Sequence, residues 1–261
     1  MELLASIDGT ITPSATATVP VTDPGLLRGD GAFEVVRVYD GVPYAWDEHL
    51  RRLATSAGNL RLEVDLNALR ADVGALLAQA PGFDGQFRAF FTRGGHRIVL
   101  LEEVARRGPT VSLATVEYVP TRIMDGIKSL SYAANMLATR LAEEAGAEEA
   151  LLVTPHGRVL EAPTSSFFYA LDGRLYTPPL EDHILDSITR RHLIEATGTE
   201  ERITTRDDLG QLEEAFLAST TREVHPVSAI DGRPVAAVPG PLTEAAARAF
   251  ATLVGGTAGG A

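Results

Sequence analysis

The sequence contains no cysteine and a single tryptophan, and aromatic residues make up only 6% of the chain. The absence of cysteine excludes disulfide bonds and metal sites built from thiolates. No run of 18 apolar residues is present, so we expect no membrane span. Residues 1–4 lack the basic segment with which a signal peptide begins, and we expect a cytoplasmic protein.

Positive charge is also scarce, because 35 acidic residues against 23 lysines and arginines leave a formal net charge of −12. No basic segment is dense enough to bind a polyphosphate, so nucleic acid is not an expected partner. The remaining composition, 45% hydrophobic over 261 residues, is that of a globular protein with one or two cores. Residues 255–261 hold only glycine, threonine and alanine, and we expect this tail to be mobile.

Lysine occurs once, at Lys128, whereas the other 22 of the 23 basic residues are arginines. Arginine keeps its proton and forms no imine, while a lysine can lose its proton and attack a carbonyl carbon. The apolar neighbours Ile127 and Leu130 indicate that this lysine is partly buried. Lys128 is therefore a candidate for covalent chemistry, with a solvated loop lysine as the alternative.

Hydrophobic periodicity and turn residues predict two mixed α/β lobes, each with a largely antiparallel sheet. The texture of the sequence changes near Pro120, which predicts a small domain of residues 1–118, a linker of residues 119–124 and a larger domain of residues 125–261. Asp47 is a candidate N-cap for the first long helix. The predicted strands are 3–7, 32–39, 42–46, 86–93, 110–116, 150–154, 158–161, 166–171, 174–176 and 214–219. The other predicted helices are 66–78, 135–144, 186–196 and 242–253.

Two further charged residues suit a phosphorylated pyridine cofactor. Glu161 ends the predicted strand 158–161, where a carboxylate can hold a proton on a buried ring nitrogen. Arg52, on the first long helix, can pair with a phosphate. Taken singly, a surface carboxylate and a solvated arginine remain the alternatives.

A candidate anion site is formed by Ile188 and Thr189, which lie in the first turn of a predicted helix, where backbone amide groups are free. Three hydroxyl residues at the end of a strand could close around the same anion, namely Ser219, Thr220 and Thr221. A helix cap and a turn are the simpler interpretations of each. Together, an imine lysine, a ring-nitrogen carboxylate and a phosphate site are what pyridoxal 5′-phosphate (PLP) requires.

In order and spacing, these segments resemble the class IV (fold type IV) PLP-dependent aminotransferases. This family includes D-amino-acid transaminases, branched-chain aminotransferases and aminodeoxychorismate lyases. The resemblance extends from Gly29 to about Val227. It rests on the segments Gly-Asp-Gly-Ala-Phe-Glu (29–34), Glu-His-Leu-Arg-Arg-Leu (48–53), Lys-Ser-Leu (128–130), Ala-Gly-Ala-Glu-Glu-Ala-Leu (145–151), Leu-Tyr-Thr-Pro-Pro-Leu (175–180) and Ile-Leu-Asp-Ser-Ile-Thr-Arg (184–190).

The resemblance implies a fold type IV PLP enzyme with two mixed α/β domains and the cofactor between them. Lys128 would form the Schiff base and act as the general base, and Glu161 would keep the pyridine nitrogen protonated. Tyr132 would hydrogen-bond the phenolic oxygen of the cofactor. The phosphate would be bound by Arg52, Ile188, Thr189 and Thr220, with Ser219 in the same cofactor-binding group.

The resemblance also implies partners: an amino acid and a 2-oxo acid as substrates, and a second copy of the chain in a homodimer with active sites at the interface. No metal is expected. Two departures from the family pattern stand out. Thr164-Ser165-Ser166 replaces Ser-Ser-Asn after the glutamate, so an asparagine that stabilises this loop is missing, and Asp186-Ser187 replaces Pro-Gly.

Among the subfamilies, the D-amino-acid transaminases are favoured, because Val35 resembles the residue found at this position in those enzymes. Lyases carry Thr-Thr at Glu34-Val35, and branched-chain enzymes carry glycine at Val35 and tyrosines where this chain has Arg28 and Gln86. However, the Arg-x-His carboxylate trap of the best-known D-enzymes is not cleanly present after Arg93. Aminodeoxychorismate lyase, a branched-chain transaminase and a non-enzymatic homologue therefore stay open as alternatives.

Arg28 and Arg88 are candidates for a substitute trap, because each can bind a carboxylate in bidentate fashion. The hypothesis is that Arg88, with Arg28 from the neighbouring subunit, holds the substrate α-carboxylate. Phe33, Val35 and Thr221 would complete the substrate pocket. The alternative is that Arg88 lies on the outward face of its strand.

Overall fold

The computed structural model describes residues 2–258 and divides into two units. The first unit contains the chain up to Ala105 together with the segment Gly126–Tyr132, and the second contains Arg106–Asp125 and Ala133–Gly256. The predicted linker, residues 119–124, thus lies within the second unit, because the strand before it already pairs in that unit's sheet. The segment that carries Lys128 belongs to the first unit.

Over the part of the chain that the structure describes, the first unit has six strands and three α-helices. Its strands are β1 (Leu4–Ile7), β2 (Thr10–Pro13), β3 (Gly31–Tyr39), β4 (Val42–Pro43), β5 (Gly85–Thr92) and β6 (Arg97–Glu102). Its helices are α1 (Pro24–Arg28), α2 (Trp46–Asn59) and α3 (Leu66–Ala78). The strands form one antiparallel sheet in the order β2-β1-β6-β5-β3-β4. Helices α2 and α3 cover one face of this sheet and bury a core with Val36, Leu53, Leu69, Leu76 and Phe87.

In the described residues, the second unit has eight strands and three α-helices. Its strands are β7 (Val111–Glu117), β8 (Glu149–Val153), β9 (Ser166–Leu171), β10 (Arg174–Thr177), β11 (Glu200–Glu201), β12 (Glu214–Ser219), β13 (Glu223–Ile230) and β14 (Arg233–Pro234). Its helices are α4 (Ala133–Glu144), α5 (Ile188–Thr197) and α6 (Pro241–Ala258). The sheet runs in the order β11-β10-β9-β12-β13-β7-β8, with β14 beside β13. It is mixed, because β7 runs parallel to both β8 and β13, and β10 parallel to β11.

The prediction of two mixed α/β lobes is confirmed, and most predicted elements are found within two residues of their expected bounds. Asp47 was wrong as an N-cap, since α2 begins one residue earlier, after Ala45 in the left-handed conformation. The ring of Trp46 packs edge-on against Phe87, at 5.2 Å between centroids. Trp46 is thus the first residue of α2, and the predicted strand 42–46 is limited to Val42–Pro43.

The predicted strand 158–161 was also wrong. The backbone hydrogen bonds of this segment go to two different parts of the chain, since Val159 N–H donates to the Thr204 carbonyl and Leu160 N–H donates to the Leu152 carbonyl. No continuous ladder forms. Strands β2, β6, β11, β13 and β14 and helix α1 were not predicted. Strand β13 contains Pro226, and proline argues against a strand. The predicted mobile tail is helical through residue 258, and its last three residues lie outside the described part of the chain. Among residues 2–258, no helix is both long and apolar enough to cross a membrane.

Candidate active site

In the first unit, helix α2 holds Arg52 against a buried carboxylate. Arg52 donates from Nε and Nη2 to the two carboxylate oxygens of Glu34, both at 2.7 Å. His49, one turn earlier on α2, lies 2.7 Å from Glu34 Oε2 through its Nδ1. Glu34 and His49 are completely buried, and the Arg52 side chain is 10% exposed. Arg52 is therefore not the solvated helix arginine of the simpler interpretation.

The charges in this group follow from its burial. Burial alone would raise the pKa of Glu34, but the charge of Arg52 and the hydrogen bonds from Arg52 and His49 lower that pKa to about 2. Burial lowers the pKa of His49, which favours the neutral ring. Because the ionised Glu34 only accepts hydrogen bonds, the ring proton of His49 lies on Nδ1. The group thus consists of one anion, one cation and one neutral donor.

Lys128 is held by backbone bonds to β3 and by helix α2. Phe33 N–H donates to the Lys128 carbonyl at 3.0 Å, and Lys128 N–H donates to Ser56 Oγ on α2 at 3.1 Å. The Lys128 Nζ lies 4.4 Å from the centroid of the Phe33 ring and 5.6 Å from that of Tyr132. The two rings meet edge to face at 5.2 Å. The lysine is half-buried against aromatic rings, unlike a solvated loop lysine.

Glycine is required where the segment with Lys128 approaches the end of α1. A Cβ on Gly29 would lie 2.8 Å from Ser131 Oγ, and one on Gly31 would lie 2.3 Å from the Phe91 carbonyl oxygen. Ser131 Oγ donates to the Gly29 carbonyl at 3.1 Å. The two glycines therefore have a steric role, since they allow the lysine segment to pack against β3.

In the second unit, Glu161 follows a short bridge beside β8. Its Oε1 accepts a hydrogen bond from Leu185 N–H at 3.0 Å, so the carboxylate contacts the loop that leads into α5. The chain after Glu161 is tied down by Asn135 on α4, whose Nδ2 donates to the Pro163 carbonyl at 2.9 Å. Asn135 thus anchors the loop in which the expected asparagine is replaced. The Oγ atoms of Ser165 and Ser166 are buried without a hydrogen-bond partner in the described residues.

The N-terminal turn of helix α5 has the features of an anion site. Ser187 caps it and accepts a bond from Arg190 N–H, while Ile188 and Thr189 in the first turn are buried. The hydroxyl of Thr189 is buried and has no hydrogen-bond partner within residues 2–258. A buried hydroxyl beside first-turn amide groups suits a phosphate, which accepts hydrogen bonds from both.

Ser219 ends β12, and Thr220 and Thr221 begin the turn that follows; all three residues are half-buried. Ser219 Oγ accepts a bond from Arg222 N–H at 3.3 Å, and the Thr221 carbonyl accepts one from Arg107 at 3.0 Å. The Arg222 side chain is 10% exposed and pairs with the buried Glu149. Hydrogen bonds therefore hold this turn at Ser219 and at Thr221.

Known proteins place the chain in a family. The family described as amino-transferase class IV matches residues 31–230, more than half of the chain. The chain belongs to the class IV aminotransferases. This class IV aminotransferase is 30% identical to the D-alanine aminotransferase of Bacillus licheniformis, over 91% of this chain and 92% of the relative. It is 33% identical to the putative branched-chain-amino-acid aminotransferase of Methanocaldococcus jannaschii, over 87% of this chain and 88% of the relative.

Solved structures agree with this assignment. A hypothetical aminotransferase from Mycobacterium tuberculosis in its PLP-bound form is 27% identical, with a TM-score of 0.88 over 97% of this chain and 98% of that chain. A fold IV transaminase from Curtobacterium pusillum is 27% identical, with a TM-score of 0.83 over 99% of both chains. The class IV aminotransferase therefore has fold type IV and is a PLP-dependent transaminase.

The side chains suit this cofactor. The partnerless Thr189 hydroxyl and the first turn of α5 offer donors to a phosphate. Lys128 presents an amine beside aromatic rings, and the Glu161 carboxylate is held by a backbone amide. No group of three histidine, aspartate or glutamate residues in the described part of the chain could hold a metal ion.

The proposed substrate residues of the class IV aminotransferase lie in the first unit except Thr221. Arg28 is exposed at the end of α1. Arg88 stands opposite Val35 across the β3–β5 pair, on the face away from the core. Its guanidinium is nevertheless 5.9 Å from the centroid of the Phe33 ring. It also pairs with Glu102, at 3.2 Å between Nη2 and Oε2.

Several residues of these groups were not identified from the sequence, namely Glu34, His49, Glu102, Arg107, Asn135, Glu149 and Arg222. A signal existed for Glu34, which alternates in register with Ala32 and Val36 on the core-facing side of β3. A charge at such a position needs a buried partner. Arg93, where a carboxylate trap was considered, instead binds Asp30 and the carbonyl groups of Leu60 and Arg61 at the end of α2.

Proposed function

We propose that this class IV aminotransferase is a D-amino-acid transaminase, which moves the amino group of a D-amino acid to a 2-oxo acid. D-Alanine or D-glutamate would be the donor, and pyruvate or 2-oxoglutarate the acceptor. Support comes from Val35 and from the similarity to a D-alanine aminotransferase over nine tenths of the chain.

The observation that carries this proposal is the placement of two cationic side chains about one ring. Lys128 Nζ and the Arg88 guanidinium lie 4.4 Å and 5.9 Å from the centroid of the Phe33 ring. Both side chains therefore lie about the same ring, and we propose that Arg88 binds the substrate carboxylate while Lys128 takes the proton from the substrate Cα. The Arg88–Glu102 pair is partly exposed, with side chains 36% and 26% accessible, and such pairs contribute little stability. A substrate carboxylate can thus compete with Glu102 for the guanidinium.

The residues divide the remaining work. PLP, when bound, supplies a carbonyl carbon for an amine and a ring that withdraws electrons. Lys128 would bind the cofactor through its amine and move the proton of the substrate Cα. Glu161 would hold a proton on the pyridine nitrogen. Tyr132 would contact the phenolic oxygen, and the phosphate would be bound by Arg52, Ile188, Thr189, Ser219 and Thr220.

A branched-chain L-amino-acid transaminase is the second candidate. The similarity to the Methanocaldococcus jannaschii relative, at 33% identity, favours it. Against it stand Gln86, which donates to Glu102 at 2.9 Å, and Arg28, since tyrosines are expected at both positions. No contact in the described residues favours aminodeoxychorismate lyase, whose Thr-Thr pair is replaced by Glu34-Val35.

An assay with the PLP-saturated enzyme tests the proposal. With 2-oxoglutarate as the acceptor, D-alanine, L-alanine and L-leucine are compared as donors, and the glutamate that each reaction forms from the acceptor is measured by chromatography. We expect D-alanine to react at least about tenfold faster than either L-donor, which corresponds to 1.4 kcal/mol in the transition state. Faster reaction of L-leucine would replace the proposal by the second candidate.

We further propose that the enzyme acts as a homodimer, with Arg28 of one subunit serving the site of the other. Helix α1, which ends in Arg28, exposes Leu26 and Leu27 by more than half of their surface. Two adjacent exposed leucines suit a surface that a partner covers.

A further inference from the structure

Glu34, His49 and Arg52 form a buried group in the first unit. Neither their sequence segments nor membership of the family assigns a role to Glu34 or His49. Glu34 is anionic and Arg52 cationic inside the first unit, at a place where Glu34 is inaccessible to water. Burying a charge is costly unless hydrogen bonds satisfy it. Glu34 meets this condition through three donors, Arg52 Nε, Arg52 Nη2 and His49 Nδ1.

Replacement of a buried ion pair by hydrophobic residues often costs no stability, so a buried ion pair is weak evidence for a stabilising role. The ion pair also fixes the orientation of the Arg52 guanidinium. A guanidinium that donates two parallel bonds to one carboxylate is fixed in plane and position. His49 removes the remaining freedom, because its bond to Oε2 holds the Glu34 carboxylate in turn.

The same helix face extends the constraint to the lysine. His49, Arg52 and Ser56 follow one another at helical spacing on α2, and Ser56 accepts the bond from Lys128 N–H. On β3, Glu34 binds the helix while the adjacent Phe33 binds the Lys128 carbonyl. Arg52 and Lys128 are thus both held in position by helix α2 and strand β3.

We propose that Glu34 and His49 are positioning residues that hold the Arg52 guanidinium in place for the PLP phosphate. The inference rests on the proposed role of Arg52 as a phosphate ligand. We assign neither Glu34 nor His49 a contact with the cofactor, because each acts through Arg52.

The test compares two ligands that differ only in the phosphate. Apoenzyme is titrated with PLP and with pyridoxal, and Kd is measured from the absorbance of the bound cofactor. Loss of a hydrogen bond to a charged group predicts that Glu34→Gln raises the Kd for PLP by about 10- to 100-fold. The Kd for pyridoxal should stay within about twofold of the wild-type value, because pyridoxal has no phosphate for Arg52 to bind.

Two further variants examine His49. Asn can donate from the position of Nδ1, whereas Leu cannot. We therefore expect His49→Asn to bind PLP almost as the wild type does and His49→Leu to lose affinity for PLP but not for pyridoxal. Equal PLP affinity in the Asn and Leu variants, below that of the wild type, would show that the ring matters only for packing.

Asp72→Asn is the matched control. Asp72 is a buried carboxylate of the same unit that pairs with Arg97, at 2.8 Å between Oδ2 and Nε. This variant should lower Tm as Glu34→Gln does, without a change in Kd for PLP. If Glu34→Gln weakens PLP and pyridoxal equally, or neither, the positioning role is wrong. If Arg52→Gln itself leaves the Kd for PLP unchanged, the proposed phosphate role of Arg52 fails instead.

Discussion

The single lysine makes the covalent chemistry of this enzyme directly measurable. Borohydride reduction fixes an imine between PLP and an amine, and in this sequence only Lys128 and the N-terminus carry primary amines. We expect intact-mass analysis of the reduced holoenzyme to show one phosphopyridoxyl group. Lys128→Arg keeps the positive charge but forms no imine, so it should show none and should lose turnover. An adduct of equal yield in the variant would place the imine on the N-terminus.

The low pKa of Glu34 predicts how stability depends on pH. The pKa of this carboxyl falls from 4.5 to about 2 on folding, so its contribution is complete above pH 4.5 and is lost as the pH decreases towards 2. The shift corresponds to on the order of 3 kcal/mol. Urea unfolding at pH 6 and at pH 3.5 should therefore show Glu34→Gln less stable than the wild type, with the smaller difference at pH 3.5. A difference that is the same at both pH values would contradict this assignment.

Candidate residues could be proposed from the sequence where a residue type is rare or a motif is long. Lys128 and Arg52 lie in segments that resemble one family, and Glu161 lies between two such segments, so these three residues could be proposed without coordinates. The partners Glu34 and His49 could not be paired in this way. Their contact depends on how α2 lies on β3, and hydrophobic periodicity specifies the buried face of a helix but not its polar contacts.

Arg222, in the turn between β12 and β13, belongs to a buried ion pair. Arg222 binds Glu149, and its Nη1 lies 3.4 Å from Nδ1 of His225, while Glu149 also accepts a bond from Thr139 at 2.7 Å. Arg222→Leu would leave the buried Glu149 without its cation, at a cost of about 3–5 kcal/mol.

The double variant Arg222→Leu with Glu149→Gln should recover part of that loss, because the amide carbonyl still accepts the bond from Thr139 and carries no charge. Thermal unfolding of the wild type, both single variants and the double variant gives the coupling energy. We expect the double variant to be more stable than Arg222→Leu alone. Additive losses would mean that the pair does not hold the turn.

At the scale of elements, turn residues and alternation predicted most strands because the local sequence determines them. Strand β9 and strand β12 were found at the predicted bounds. Strand β13 was missed because Pro226 opposes a strand, yet its backbone pairs with Phe216 across the sheet. The parallel pairing of β7 with β8 and β13 could not be inferred either, since it joins segments that are distant in sequence.

At the scale of the whole molecule, the proposed dimer and the proposed carboxylate site depend on each other. Arg28 ends a five-residue helix whose leucines are exposed, and Arg88 lies on β5 near Phe33. If Arg28 serves the site of the other subunit, Arg28→Gln should raise KM for the amino acid and leave the Kd for PLP unchanged. This effect alone would not reveal from which subunit the arginine comes.

Subunit mixing reveals it. A dimer of Lys128→Ala with Arg28→Gln contains one site that has both Lys128 and an intact Arg28 from the other chain, so about half of the wild-type activity per heterodimer should return at low amino-acid concentration. If Arg28 acts within its own subunit, the heterodimer has the lysine only where the arginine is missing, and no activity returns. Differently tagged subunits, exchanged and purified as heterodimers, supply the sample. The pair Lys128→Ala with Arg106→Gln controls for exchange, because Arg106 is exposed in the second unit and has no proposed role.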